Sequence, residues 1–165
     1  NNPNFFLLNY DLSNFSVTNF FVIPKHFFVP DIIEKRKPLA LTARRAGWVG
    51  CNILLNSIPN TGKIFFIRDK QVEPKEKVLA EWKKTLFLRE EKEISAKGWL
   101  LDIMVCVDKL ERKEFSLDKV YAFEGELNKK HPDNRHIKDK IRQQLQVLRD
   151  KGYLEFTSRG NYRLI

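Results

Sequence analysis

The sequence lacks the features that mark several large functional classes. Only two of its 165 residues are cysteine, Cys51 and Cys106, far apart and with no CxxC pair. That spacing supports neither a zinc site nor a disulfide framework, and reduced thiols, buried or semi-buried, are expected in a cytoplasmic protein. No long apolar run is present, which argues against a membrane span. The opening Asn1-Asn2-Pro3-Asn4 is polar, carries no signal peptide and lacks an initiator Met, so the chain is expected to begin inside a longer protein. Internal repeats and low-complexity tracts are also missing. What is present in excess is positive charge: 30 Lys and Arg against 21 Asp and Glu, a net charge of +9 and a pI near 9.6. A balance of this kind favours a polyanionic partner. The length allows one large or two small domains with real cores.

The most informative segment is the C-terminal one. Ile137, Ile141, Leu145 and Leu148 recur at spacings of three and four and predict a helix over His136–Lys151, stopped by Gly152. At about 100° per residue, Arg135, Lys138, Arg142 and Arg149 share a second stripe beside the apolar one. A solvated cationic face and a helix laid in a DNA major groove both fit that pattern. Its neighbours favour the groove. Upstream, Trp99, Leu100, Ile103, Met104, Val107 and Leu110 keep helical spacing after Gly98. Ser116 then stands as an N-cap before a second helix carrying Leu117, Val120, Tyr121 and Leu127, with Phe115 and Val120 spaced as a hydrophobic staple. Downstream, Leu154 and Phe156 alternate with polar residues, Gly160-Asn161 marks a turn, and Tyr162 and Leu164 alternate again, as in a two-stranded ribbon. Three helices and a hairpin is the order of a winged helix-turn-helix, whose third helix reads DNA; protein-docking winged helices share that order. Arg149, Arg159 and Arg163 suit phosphates, and His136, Lys138, Asp139, Arg142 and Gln143 lie where a reading helix approaches base edges.

The first half reads differently. Phe5–Tyr10, Asn19–Ile23 and Ile64–Arg68 have strand composition bounded by turn residues, and Glu76–Phe87 has helical spacing after Pro74. Between them the run from Lys37 to Asn52 holds Arg44, Arg45 and a Trp48 flanked by Gly47 and Gly50. The glycines permit close backbone approach and the arginines can hold phosphates, while a loop pinned by a packed Trp fits as well. Charges cluster and apolar periodicity pauses over Arg89–Lys97, which divides the chain into residues 1–94 and 95–165.

Three long runs, Asn1 to Phe6, Lys37 to Asn52 and His136 to Lys151, resemble the Dam-replacing family of DpnI-type methyl-directed type II restriction endonucleases, and the resemblance extends along essentially the whole chain. It implies an α/β fold, with the rear half of a PD-(D/E)xK nuclease domain followed by a C-terminal winged helix-turn-helix. It further implies binding and cleavage of double-stranded DNA at GATC sites whose adenine is methylated on its exocyclic amine, by a monomer with no membrane association. The family's tryptophan in the Arg-Arg-Ala-Gly-Trp run sits at the methyl-reading site, which assigns Trp48 to the methyl group. An indole offers a suitable apolar surface for it.

The resemblance also says where the cutting chemistry lies. Such a nuclease needs an Asp followed by Glu-x-Lys or Asp-x-Lys on the next strand, to hold Mg²⁺ and activate water. In the family that motif, and a structural Zn site, precede the point where this chain starts. Magnesium is thus implied for the intact enzyme, and no metal is expected on this chain. The look-alikes Asp31, Glu73-Pro74-Lys75 and Glu90-Glu91-Lys92 are too widely separated, and Pro74 would spoil a central strand. A stand-alone winged-helix DNA-binding regulator, without catalysis, is the alternative. Residues 1–94 alone are expected to leave an exposed sheet edge.

Overall fold

The structure, a computed structural model, describes residues 3–165; Asn1 and Asn2, which open one of the resembling runs, lie outside them. The first half is built on an antiparallel sheet of order β1-β2-β5-β6, from β1 (Phe5–Tyr10), β2 (Val17–Ile23), β5 (Ile64–Arg68) and β6 (Gln71–Val72). Phe5 faces Ile23 and Leu7 faces Phe21 across the β1–β2 ladder, so these four share the side that joins the core. Phe6 and Leu8 point the other way and stay exposed, with Phe6, Phe20 and Phe66 clustered at 5.1–6.5 Å between ring centroids. A separate two-stranded ribbon pairs β3 (Ile33–Lys35) with β4 (Cys51–Ile53) and projects the long connection between them.

Helix α1 (Lys75–Lys84) is shorter than its apolar spacing predicts, because Thr85 turns the chain into a 3-10 turn at Leu86–Arg89. The Thr85 hydroxyl donates to the Trp82 carbonyl at 2.8 Å and also meets Nε2 of buried His26 at 2.9 Å. A hydroxyl has one proton, so Nε2 carries a proton and donates in the second bond.

Helix α2 (Ile94–Lys109) begins before Gly98, earlier than expected: the Glu93 side chain accepts from Ala96 N at 3.1 Å and caps it. The last four residues of the charged stretch Arg89–Lys97 are therefore its first turn. Next come β7 (Glu114–Ser116), α3 (Leu117–Tyr121), α4 (Glu124–Lys130), α5 (Ile137–Asp150), β8 (Leu154–Ser158) and β9 (Asn161–Leu164). The single helix expected across Leu117–Leu127 breaks at Ala122-Phe123, where Phe123 packs on the core and Gly125 lowers helix propensity by about 1 kcal/mol. Ser116 does stand at the N-cap with extended backbone, but its side chain makes no capping bond. The expected two-stranded wing has a third strand: the sheet order is β7-β9-β8, all antiparallel.

One apolar cluster runs through both halves. It joins Phe21, Ile23, Phe27, Val29, Ile32 and Ile58 to the buried residues of α2 and on to Ile141, Leu145 and Leu148 of α5. Polar ties cross between the halves too, with Asp108 accepting from Asn60 N at 2.6 Å and Lys151 pairing with Glu90 at 2.6 Å. Of the cysteines, Cys106 is buried, and burial pushes its thiol up to about 12, whereas Cys51 is exposed on the hairpin strand β4, against the expectation of a core or semi-buried thiol. Among the described residues no helix is long and apolar enough to cross a membrane.

Candidate nucleic-acid interface

Helix α5 follows its sequence pattern closely. Ile137, Ile141, Leu145 and Leu148 are buried, which fixes the rotation of the helix and leaves Lys138, Asp139, Arg142, Gln143, Gln146 and Arg149 outside. The helix ends on Gly152, at φ +72°, with Tyr153 N donating to Leu148 O at 2.9 Å in a Schellman closure. From there the chain enters the wing, so the same glycine sets where β8 and β9 stand relative to the helix.

The outward cations differ in how they are held. Arg142 Nε donates to the hydroxyl of Tyr121 on α3, and its guanidinium carbon lies 5.6 Å from that ring's centroid. Lys138 Nζ sits 5.5 Å from the same ring and 3.4 Å from Glu124. Tyr121 thus organises the first two turns of α5, a role its apolar spacing in the second helix did not reveal. Arg149 pairs with its neighbour Asp150 at 2.8 Å, an exposed contact that constrains it little. Arg163 lies between Glu155 and Glu114 on the wing sheet, so its charge is matched inside the protein. The hydrogen bond that Arg163 donates to Glu155 holds its guanidinium pKa above the ordinary value. By contrast Arg135, before α5, and Arg159, at the β8–β9 turn, make no ion pair among the described residues. The wing turn is fixed to the start of α3, where Leu117 N donates to Gly160 O at 2.8 Å.

The entry to α5 is anchored from below. Asp102 of α2, only 6% exposed, accepts from His131 Nε2 at 2.7 Å through one oxygen and from Lys130 Nζ through the other. The His131 ring stacks on Trp99 at 3.7 Å between centroids, and Lys140 of α5 stands 5.9 Å from the same indole. Asn134 closes the rest of the turn by accepting from His136 N at 2.8 Å. The loop that delivers His136 to the N-cap of α5 is therefore held at both ends. Asp102 carries no signal in the sequence beyond being an acid within the apolar run of a helix whose other acid, Asp108, lies near its end.

A second cationic surface is carried by the β3–β4 connection. From Lys35 to Arg68 the chain contains no Asp or Glu. The connection is ordered by its own backbone: Arg36 N donates to Gly50 O at 3.0 Å, Leu39 N to Trp48 O at 2.9 Å and Gly47 N, at φ +77°, to Leu39 O at 3.1 Å. Trp48 lies against Gly50, where a Cβ would fall 2.9 Å from two of its ring carbons. The close approach that Gly50 permits is thus to the indole itself, and the ring stays 52% exposed. Arg44 and Arg45 are exposed beside it and make no ion pair among the described residues. Trp48 is thus braced against Gly50 while about half of it remains open to solvent.

The acidic look-alikes of a nuclease centre are put to other uses. Glu73 pairs with Arg68 at 3.4 Å and Lys77 at 2.7 Å, Pro74 stands at the N-cap position of α1, and Glu90 pairs with Lys151. Asp31 lies in a 3-10 turn beside Gly98. Among the described residues no three His, Cys, Asp or Glu side chains come together as a metal site. These groups do not fit a Mg²⁺ or Zn²⁺ centre.

Two family models match the chain. The model of the Dam-replacing family covers residues 1–91, and that of the Dam-replacing helix-turn-helix domain covers residues 95–164.

Proposed function

This chain belongs to the Dam-replacing family, and from that premise we propose that it supplies the DNA-reading surfaces of a methyl-directed type II restriction endonuclease. Its target in this reading is double-stranded GATC with the adenine methylated on the exocyclic amine. The first half serves as the rear of a PD-(D/E)xK nuclease domain, and the C-terminal helix-turn-helix domain binds a methylated site by itself, on a monomeric protein. Hydrolysis falls to carboxylates and a lysine outside these 165 residues, with Mg²⁺ held there and structural Zn²⁺ likewise.

The observation that carries this reading is the pairing of two preorganised cationic surfaces, each with an exposed aromatic or polar reader at its centre. On α5, Tyr121 fixes Arg142 and Lys138 where a recognition helix approaches base edges, with Asp139 and Gln143 on the same face and His136 at the N-cap. Arg135, Arg149, Arg159 and, after release from its carboxylates, Arg163 serve phosphates. On the β3–β4 connection, Arg44 and Arg45 hold the backbone of the duplex while the exposed part of the Trp48 indole meets the methyl group. An apolar plane gains where a methyl replaces a solvated amine hydrogen.

The test is a titration of this chain against a duplex bearing methylated GATC and against one of the same composition with the site scrambled, at one fixed salt concentration. At least a tenfold preference for the site is expected. Equal affinities would overturn the assignment.

A further inference from the structure

We propose that Leu41, at the tip of the β3–β4 connection, is an apolar wedge that enters the duplex and unstacks a base step flanking the site contacted by Trp48. This rests on the DNA-reading function above and assigns a deformation role that function does not require.

Leu41 is 92% exposed, more than any other large apolar side chain among the described residues. Its isolation is built into a fixed loop. Ala43 N donates to Ala40 O at 2.9 Å across the turn that presents Leu41, and Gly47 N donates to Leu39 O at 3.1 Å at its base, so that turn is held by its own backbone hydrogen bonds. Its immediate neighbours Ala40, Thr42 and Ala43 are small, and the nearest bulky groups along the chain are Leu39, less exposed at 41%, on one side and Arg44 and Arg45 on the other. A single branched apolar side chain standing clear of small residues, with cations beside it, has the shape needed to pass between sugar–phosphate walls and reach a base step. Leu is one of the side chains that wedge between stacked bases in DNA-bending proteins, where the cations gain extra phosphate contact from the bend. The charge of the segment commits the occupant to a polyanion: Lys35, Arg36, Lys37, Arg44 and Arg45 have no acidic residue among them. The same loop carries Trp48, so a wedge at its tip acts on the same short stretch of duplex and can select DNA by deformability as well as by the methyl group.

The experiment uses the full chain with duplexes that carry methylated GATC and 2-aminopurine at successive flanking positions, compared for the unsubstituted protein, Leu41→Ala and Leu41→Met. Preference for methylated over unmethylated duplex is established first with the unsubstituted protein, and its absence would sink the underlying reading. Given that preference, we expect a several-fold rise in 2-aminopurine emission at one flanking position on binding. Leu41→Met should keep the rise, and Leu41→Ala should lose it while binding about tenfold more weakly with an unchanged dependence on salt. No emission rise at any position, or a Leu41→Ala protein that retains both the rise and the affinity, would overturn the wedge and leave the DNA-reading function standing. Exposure of the side chain makes both substitutions compatible with folding, which equal melting temperatures would verify.

Discussion

The Tyr121 hydroxyl on α3 accepts a hydrogen bond from Arg142 Nε on α5, joining the helix that supports the interface to the one that forms it. The bond aims one guanidinium edge into the protein and leaves the other edge free for a bidentate contact, the geometry by which Arg recognises guanine or a phosphate. Removing the hydroxyl by Tyr121→Phe keeps the ring and the packing. It should weaken binding to the methylated site by about 1 kcal/mol, or roughly fivefold, with little change in melting temperature. Fluorescence anisotropy on a labelled duplex checks it; unchanged affinity would mean that Arg142 needs no such guide.

Arg159 stands at the wing turn without an acidic partner among the described residues, whereas Arg163 is held by Glu155 and Glu114. Arg159→Ala should therefore lower affinity for methylated and scrambled duplexes alike and reduce the slope of log affinity against log salt by about 1. Arg163→Ala should change that slope less. The reverse order would show that binding rearranges the wing.

Asp102 is buried and holds both Lys130 and His131. Asp102→Ala leaves both without their anion. Lys130 is about a third exposed and can turn to water, so the cost should fall at the lower end for a broken buried pair, about 3 kcal/mol. Urea unfolding measures it. A loss below about 0.5 kcal/mol would show that the Trp99–His131 stack alone holds the loop.

Burial, with Arg89, Lys97 and Lys25 nearby, pushes the His26 pKa down to about 4. The unfolded chain takes up this proton as pH falls through about 6.5 and the folded chain does so only near 4, so the unfolded state binds more protons between these values. Stability from this group is complete above pH 6.5 and is lost progressively as pH falls toward 4, by up to about 3 kcal/mol. Unfolding measured at pH 7 and pH 4.5 should show a smaller acid loss for His26→Gln than for the unsubstituted protein. Equal losses would exclude His26 as the source.

Much of this was legible in the sequence where local pattern decides the structure. Strands β1 and β5 begin and end at the residues where turn-forming neighbours bound their apolar runs, and α5 ends at Gly152 as its position after the last apolar residue indicates. The three-residue β7 is too short to show alternation and exists only because Phe115 pairs with Tyr162 far along the chain. The break at Phe123 leaves Val120 and Leu127 on one buried side, so their spacing carried no trace of it. The anchors of the interface, Tyr121 for Arg142 and Asp102 for His131, join residues 21 and 29 positions apart. Periodicity sees neither, since each depends on how helices pack. Trp48 stood out through its glycines, but the brace against Gly50 is a property of the folded loop.

The most direct test of the central claim is the affinity of this chain, at one fixed salt concentration, for otherwise identical GATC duplexes carrying two, one or no methyl groups on the site adenines. Reading of the methyl group predicts the order two, then one, then none, with the extremes at least tenfold apart. The same affinity for all three duplexes would contradict it.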